Sequence, residues 1–526
     1  MSEHAATAMR RTGVVASLAA AAVMLAVMLF IRVFFELPSL PEMLADGFTL
    51  IIPLSIFARL LGALESNAKP LLLVGIILGH LIMGMLLGLI YARVWGCSSL
   101  RSSKGLGLLG PWSGGLLLAA LLWLLALLVV MPAAGAGLLG LASQPGPVSL
   151  ALSSLASSLA FGVALVAFFQ GMLAVQSKMS GELPQADRGR RVLLLKLASV
   201  PVALLVGGAL WQLLGKQIGA ELQEMGSALQ TSGTGILPDE ITSNADFYTV
   251  SKNFGDPTVD IQKWSLDLKD QAGRRLTLSY GDLKSLPSVE QAATLMCISN
   301  EVGGDLISNA VWTGVRLRDL LARLGATSAD RVVLRAWDGY SDSIPFDKAM
   351  QDGTILAYLM NAETLPDTHG FPARLVVPGI YGMKNVKWVT AIELVDGDFR
   401  GYWQERGWSN VAVIKTMSRL DVPAKGSTLP LAPLAVGGIA FAGDRGVSKV
   451  EVSPDAGNTW LQMNVKEALS PYAWSLWTGQ WQPTAPGDYV LLARAWDKSG
   501  QVQDRKDTNT LPDGASGYDG LSLTLR

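Results

Sequence analysis

Apolar residues are crowded into the first two fifths of the chain. Residues 13–34 form a run interrupted by a single charge, Arg32, long enough at about 1.5 Å per residue to cross a hydrocarbon core of about 30 Å. Comparable runs occupy residues 70–91, 111–131, 148–174 and 192–214. The stretch 48–64 is shorter and holds Pro53 and Arg59, which suits an interfacial or re-entrant helix better than a full span. Five spans are therefore expected before residue 215. Residues 215–245 read as a linker, because Gly219, Gly226, Gly233 and Gly235 punctuate Ser, Thr and Gln with no apolar period.

Beyond residue 245 the pattern shortens to strand alternation. Residues 264–268, 275–279, 331–337, 355–360, 374–377 and 387–395 read as strands, and 281–286 and 315–324 as short helical turns. A short apolar strand at 294–296 runs into a polar, glycine-bearing loop at 299–305. This is an α+β pattern without regular βαβ repetition. From residue 424, strands at 447–452, 459–465, 473–477 and 488–495, with a turn at Ser453-Pro-Asp-Ala-Gly457, predict a β-sandwich. Trp460, Trp474, Trp477, Trp481 and Trp496 read as its packing.

Charge adds an orientation. Residues 1–214 carry 13 Lys and Arg against 7 Asp and Glu, and the remainder carries 29 against 36. Arg10-Arg11 precede the first span; Arg93, Arg101 and Lys104 follow the second; Lys178, Arg188, Arg190 and Arg191 follow the fourth; residues 132–146 carry no charge. By the positive-inside rule the chain starts in the cytoplasm and everything after residue 214 lies on the far side of a bacterial inner membrane. Arg190-Arg191 before an apolar run resembles an internal twin-arginine export signal, or serves as ordinary anchoring charge; both readings give the same orientation.

Several chemistries are excluded. No dense basic stretch after residue 214 suggests nucleic acid, and neither Gly-x-Gly-x-x-Gly nor a phosphate-binding Gly-Lys-Ser/Thr loop is present. Three histidines, His4, His80 and His369, and no Cys-x-x-Cys-His argue against an intrinsic multi-haem path. The two cysteines, Cys97 and Cys297, lie on different kinds of segment and imply no disulfide framework. Cys297, at the strand end before the polar loop, can approach a metal or a substrate, or be a small buried hydrophobe.

The wider context of Cys297 carries a resemblance. Asn309-Ala-Val-Trp-Thr-Gly-Val-Arg-Leu-Arg-Asp-Leu-Leu, Tyr340-Ser-Asp-Ser-Ile-Pro345, Leu356-Ala-Tyr-Leu-Met-Asn361, His369-Gly-Phe-Pro-Ala-Arg374 and Gly382-Met-Lys-Asn-Val-Lys-Trp388 follow it in order. Together they resemble the sulfite oxidase family of molybdopterin enzymes. The resemblance implies that the Cys297 thiolate binds molybdenum beside the dithiolene of one molybdopterin, and that His369, Arg374, Asn385 and Lys387 hold the cofactor. Lys252 and Asn253 fall where the family has an Arg-Asn pair, and Asp338 is a further cofactor position. Residues 424–526 resemble the family's immunoglobulin-like dimerisation domain, which implies a homodimer.

Three departures bear on the substrate. Cys297 is followed by Ile298-Ser-Asn-Glu-Val302 where the family has Ala-Gly-Asn-Arg-Arg; the family's active-site tyrosine appears as Trp408; and its N-terminal arginine is Lys252. All remove features that bind sulfite, and Glu301 is left as a candidate base or as a contact for a cationic or neutral polar substrate. The expected protein has a helical transmembrane bundle, an α+β molybdopterin domain at 246–423 and an Ig-like domain at 424–526. Its expected activity is oxygen-atom transfer on a small substrate other than sulfite, with an external cytochrome or quinone-linked electron partner and membrane lipid around the spans. The alternative is a non-catalytic binding or assembly module on the same fold.

Overall fold

The computed structural model describes residues 3–35, 37–44, 68–94, 111–133, 137–141, 146–179, 235–253 and 256–526. Residues 48–64, the run 192–214, Arg190-Arg191 and Cys97 lie outside them. The chain divides into two compact units, Met1–Gln217 and Ile218–Arg526.

The first unit contains helices α1 (Glu3–Phe35), α2 (Ala68–Val94), α3 (Pro111–Leu125) and α4 (Pro147–Met179). A wider π turn at Ala126–Val130 prolongs α3. Four stretches, Arg11–Arg32, Val74–Val94, Pro111–Ala133 and Pro147–Leu173, are long and apolar enough to cross a membrane. They coincide with four of the five expected spans. Small residues let the helices approach: a Cβ on Gly88 would meet Ser17, one on Gly84 would meet Ala21, and one on Gly115 would meet Gly162 and Val166. The His80 ring nitrogen bonds the Ala21 carbonyl at 3.2 Å, tying α2 to α1.

The second unit starts with a five-stranded sheet ordered β2-β1-β10-β5-β6: β1 (Leu266–Lys269), β2 (Arg275–Leu278), β5 (Arg331–Ala336), β6 (Ser341–Pro345) and β10 (Val389–Val395). Helices α5 (Tyr280–Ser285), α6 (Leu317–Arg323) and α7 (Phe346–Ala349) accompany it. Its apolar core gathers Leu266, Leu268, Leu320, Leu334, Ile344 and Ile392. A second sheet, β3-β4-β7-β8, contains β3 (Val289–Met296), β4 (Ile307–Arg316), β7 (Ile355–Met360) and β8 (Glu363–Thr364), with β9 (Arg374–Val376) on β7. β3 and β4 pair antiparallel from Val289↔Gly314 to Met296↔Ile307, so the loop after Cys297 closes a long hairpin.

Residues 307–314 were not expected as strand, and the helix expected at 315–324 begins at Leu317 because β4 runs through Arg316. The polar Ser308 and Asn309 that break its apolar pattern are themselves buried. Asn309 accepts from Thr294 Oγ1 at 2.9 Å and donates to the Glu240 carbonyl at 2.7 Å. Burying them costs little once those bonds are made.

The C-terminal region is β-rich. One sheet is ordered β11-β13-β17-β16 and the other β12-β19-β18-β14-β15. Their strands are β11 (Met417–Val422), β12 (Thr428–Leu429), β13 (Leu434–Phe441), β14 (Val447–Ser453), β15 (Leu461–Gln462), β16 (Asn464–Val465), β17 (Ser475–Trp481), β18 (Gly487–Asp497) and β19 (Asp519–Leu525). The core between them includes Val436, Val450, Trp477, Trp481, Leu491 and Leu523. β11 lies ahead of the expected boundary at residue 424.

The end of the expected linker is part of this unit. Gly235 N–H donates to Asp421 O at 3.0 Å, Thr242 N–H to Asn309 O at 2.8 Å, and Glu240 O accepts from Trp474 Nε1 at 3.1 Å. Backbone hydrogen bonds to neighbouring strands hold a segment whose own composition predicts none.

Candidate active site

Cys297 is the first residue of the loop between β3 and β4. Its N–H donates to Leu306 O at 2.9 Å and its carbonyl accepts from Asn300 N–H at 3.1 Å. Asn300, itself buried, accepts from Leu306 N–H at 2.8 Å through its side chain. The loop is therefore closed by its own backbone and one amide. Gly303 has φ +75°, and a Cβ there would collide with the Asp519 carboxylate. The Cys297 side chain is 7% exposed, and the Ser299 N–H approaches its sulfur at 3.4 Å. Burial pushes the thiol above its ordinary range, partly opposed by that N–H.

Two tyrosines absent from the sequence-based set flank this cysteine. The Tyr248 hydroxyl lies where a Cβ on Gly382 would fall 2.6 Å away, and that Cβ would be 3.3 Å from Met296 O. Tyr248 is raised well above its ordinary value by burial and by the Cys297 sulfur, with Arg374 opposing. Tyr381 is raised to about 12 mainly by burial, with smaller effects from Cys297 and Asp513. Neither tyrosine stands at a diagnostic spacing, so the sequence offers no signal for them.

The expected cofactor residues form two groups. In the first, Lys252 Nζ donates to Asp338 O at 3.0 Å and Asn253 Oδ1 at 2.9 Å, and lies 3.6 Å from Asp338 Oδ2. Asn253 Nδ2 donates to Asp338 Oδ2 at 2.8 Å. The three expected residues thus meet.

The second group surrounds Arg374. Its guanidinium is 5% exposed and donates to His369 O at 3.1 Å and Asn385 O at 3.4 Å. It lies 4.9 Å from the Trp312 ring centroid, and its buried Nε has no partner. No carboxylate pairs with it among the described residues, and burial lowers it to about 10. This is a desolvated cation lacking an anion. His369 Nε2 meets Asn244 O at 3.0 Å, and burial beside Arg374 lowers its imidazole to about 3. It is therefore neutral, with the proton on Nε2. Asn385 Oδ1 accepts from Val377 N–H at 2.6 Å, locking the turn that follows β9. Lys387 Nζ donates to Thr368 O at 2.8 Å, stands 3.8 Å from Asp256 Oδ2 and covers the Trp388 ring at 4.3 Å.

Phe247 and Tyr248 join these parts. Phe247 meets His369 edge-on at 5.4 Å and Trp312 at 5.6 Å, and Tyr248 responds to both Arg374 and Cys297. Trp408 is 5% exposed and packs in one apolar cluster with Met296, Ile298 and Tyr381. Glu301 stands apart: it is exposed, and lines a small cavity with Asn300, Tyr381 and Lys415.

Residues 253–403 match the model of an oxidoreductase molybdopterin binding domain, and residues 410–512 that of a Mo-co oxidoreductase dimerisation domain. Mitochondrial sulfite oxidase of Homo sapiens is 30% identical over 312 residues, covering 50% of this chain and 57% of that protein. The uncharacterized oxidoreductase YuiH of Bacillus subtilis is 32% identical over 150 residues, covering 28% of this chain and 74% of that protein. The chain belongs to the sulfite oxidase family of molybdopterin oxidoreductases. Membership in this family implies a molybdenum–molybdopterin cofactor. The chain spans little more than half the length of the mitochondrial sulfite oxidases it matches. Among solved structures, the sulfane dehydrogenase SoxCD of Paracoccus pantotrophus is similar with a TM-score of 0.49 and 24% identity, over 56% of this chain and 83% of that one.

Proposed function

We propose that this chain is a membrane-anchored molybdenum-dependent oxidoreductase that transfers an oxygen atom to or from a small extracytoplasmic substrate other than sulfite. The observation that carries this reading is Arg374: a buried guanidinium with an unpartnered Nε and, among the described residues, no carboxylate, one tyrosine away from a buried thiol. A phosphate-bearing pterin with a metal at its dithiolene end fits both, since the cation needs an anion and the soft thiolate suits a sulfur-ligated metal.

Cys297 would be the protein's ligand to molybdenum. Arg374 would bind the pterin phosphate, with Lys387 as a second cation and the neutral His369 and Asn385 ordering the turn around it. Lys252, Asn253 and Asp338 would contact the pterin as a hydrogen-bonded trio. When bound, the metal would supply a two-electron couple for the overall conversion of substrate and water into oxygenated substrate, two protons and two electrons, or the reverse. Trp408 and the Cys297 loop, with Glu301, would shape the substrate pocket. Electrons would pass to or from an external cytochrome or quinone-linked protein, because no haem motif accompanies the site.

The four apolar helices support anchoring, and the loop charges support an inner-membrane position with the second unit outside. The two C-terminal sheets support an Ig-like sandwich through which a homodimer would form.

A substrate screen tests the proposal. Viologen-linked reduction of sulfoxides and N-oxides, and ferricyanide-linked oxidation of sulfite, are assayed on the full chain beside Cys297→Ser. The expected result is turnover of a sulfoxide or N-oxide that Cys297→Ser abolishes. Turnover confined to sulfite, or unaffected by Cys297→Ser, sinks it.

A further inference from the structure

The loop after Cys297 is anchored from the C-terminal region. Arg419 in β11 sends Nη1 to Gly304 O at 3.1 Å, across 115 residues of chain. Gly304 in turn backs onto Asn300: a Cβ there would fall 2.7 Å from Asn300 Oδ1, the atom that accepts from Leu306 N–H. Asn300 N–H donates to the Cys297 carbonyl at 3.1 Å. A continuous line of contacts therefore runs from a buried guanidinium to the residue that carries the thiol.

The guanidinium is itself fixed. Arg419 Nε donates to Asp421 at 2.8 Å, and the two side chains are 1% and 0% exposed. Asp519, at the start of β19 in the other sheet, accepts from Leu420 N–H at 2.7 Å and fills the space that a Cβ on Gly303 would need. A buried ion cluster adds little net stability, because desolvation offsets the attraction; its best-attested use is to fix one arrangement of the chain. What it fixes here is the inner half of a turn whose outer half, Glu301 and Val302, is exposed.

We propose that Arg419 is a positioning residue for Cys297: its bond to the Gly304 carbonyl sets the loop and, through Asn300, the orientation of the thiol toward the metal. This rests on the oxidoreductase reading above and deepens it. It gives the region that matches a dimerisation domain a second task, in the active site.

The test uses the full chain, made with and without the cofactor, as wild type, Arg419→Lys and Arg419→Met/Asp421→Leu. Lysine keeps the charge beside Asp421 but loses the fork that reaches Gly304; the double variant removes both members of the buried pair, so that no partner is stranded. In cofactor-free protein, amide hydrogen exchange is read by mass spectrometry over residues 298–306, with β5 (Arg331–Ala336) as the reference. Exchange over 298–306 is expected to be about tenfold faster in both variants, with β5 unchanged. In loaded protein the paramagnetic signal of the bound molybdenum is expected to shift in both variants. Wild-type exchange over 298–306 in both variants overturns the proposal, and so does an acceleration shared equally by β5, which marks general destabilisation. A faster loop with an unshifted metal signal overturns it as well. Wild-type protein without molybdenum overturns the oxidoreductase reading instead, while the exchange comparison still decides whether Arg419 holds the loop.

Discussion

Lys384 donates to the Asp342 carboxylate at 2.7 Å, and the two side chains are 1% and 0% exposed. Burial alone pushes the carboxyl up and the ammonium down, so each charge depends on the other. The pair also ties together three parts of the site. Lys384 reaches Asn410 at 2.9 Å, the single Tyr340 hydroxyl proton is shared between Met383 O at 2.8 Å and Asp342 at 3.1 Å, and Gln404 donates to Asp342 at 3.2 Å. The turn before Asn385 and the loop carrying Trp403 and Trp408 are thereby fixed to β6.

Lys384→Met is expected to destabilise the protein by about 3–5 kcal/mol, because it strands a buried carboxylate. The double variant Lys384→Met/Asp342→Leu should recover most of that loss. Urea midpoints followed by tryptophan fluorescence give the comparison; a single variant as stable as wild type contradicts it.

A second buried carboxylate predicts a pH effect. Asp421 is raised from 3.8 to about 6, chiefly by burial, against the opposing pull of Arg419 at 2.8 Å. The folded state therefore holds this proton more tightly than the unfolded state. Its contribution is present below about pH 4 and is lost as pH rises towards 6, a change of about 3 kcal/mol. His369, lowered to about 3, works the other way: its contribution is present above about pH 6.5 and is lost as pH falls. Measuring stability relative to Asp421→Asn removes the His369 contribution. Wild type should lose stability against the variant across that window, and parallel curves contradict the assignment.

His369 makes its own prediction. In cofactor-free protein its imidazole signal, assigned by its loss in His369→Gln, is expected to stay at the neutral position from about pH 8 to pH 5. A midpoint inside that range would mean that the bond to Asn244 O and the burial beside Arg374 do not hold in solution.

The motif residues were legible in the sequence because they lie in order on strands and turns: Cys297 directly follows β3, Arg374 begins β9, and Asn385 and Lys387 precede β10. What the sequence concealed was contact across long separations. Tyr248 and Tyr381, far apart in the chain, both feel the Cys297 sulfur, and the paired Asp342 and Lys384 are 42 residues apart. Strand β4 was hidden by Ser308 and Asn309, whose polarity imitates a loop until their partners, Thr294 and the 240–248 segment, are folded around them. The same interactions explain why residues 235–245 looked like linker.

Cys297 and Arg374 are proposed to hold a molybdopterin. Metal and pterin analysis of the purified full chain beside Cys297→Ser, both made in a host able to synthesise and insert the cofactor, tests it most directly. One molybdenum and one pterin per chain are expected in wild type, with the metal lost or spectroscopically altered in Cys297→Ser. Wild-type protein carrying neither would contradict it.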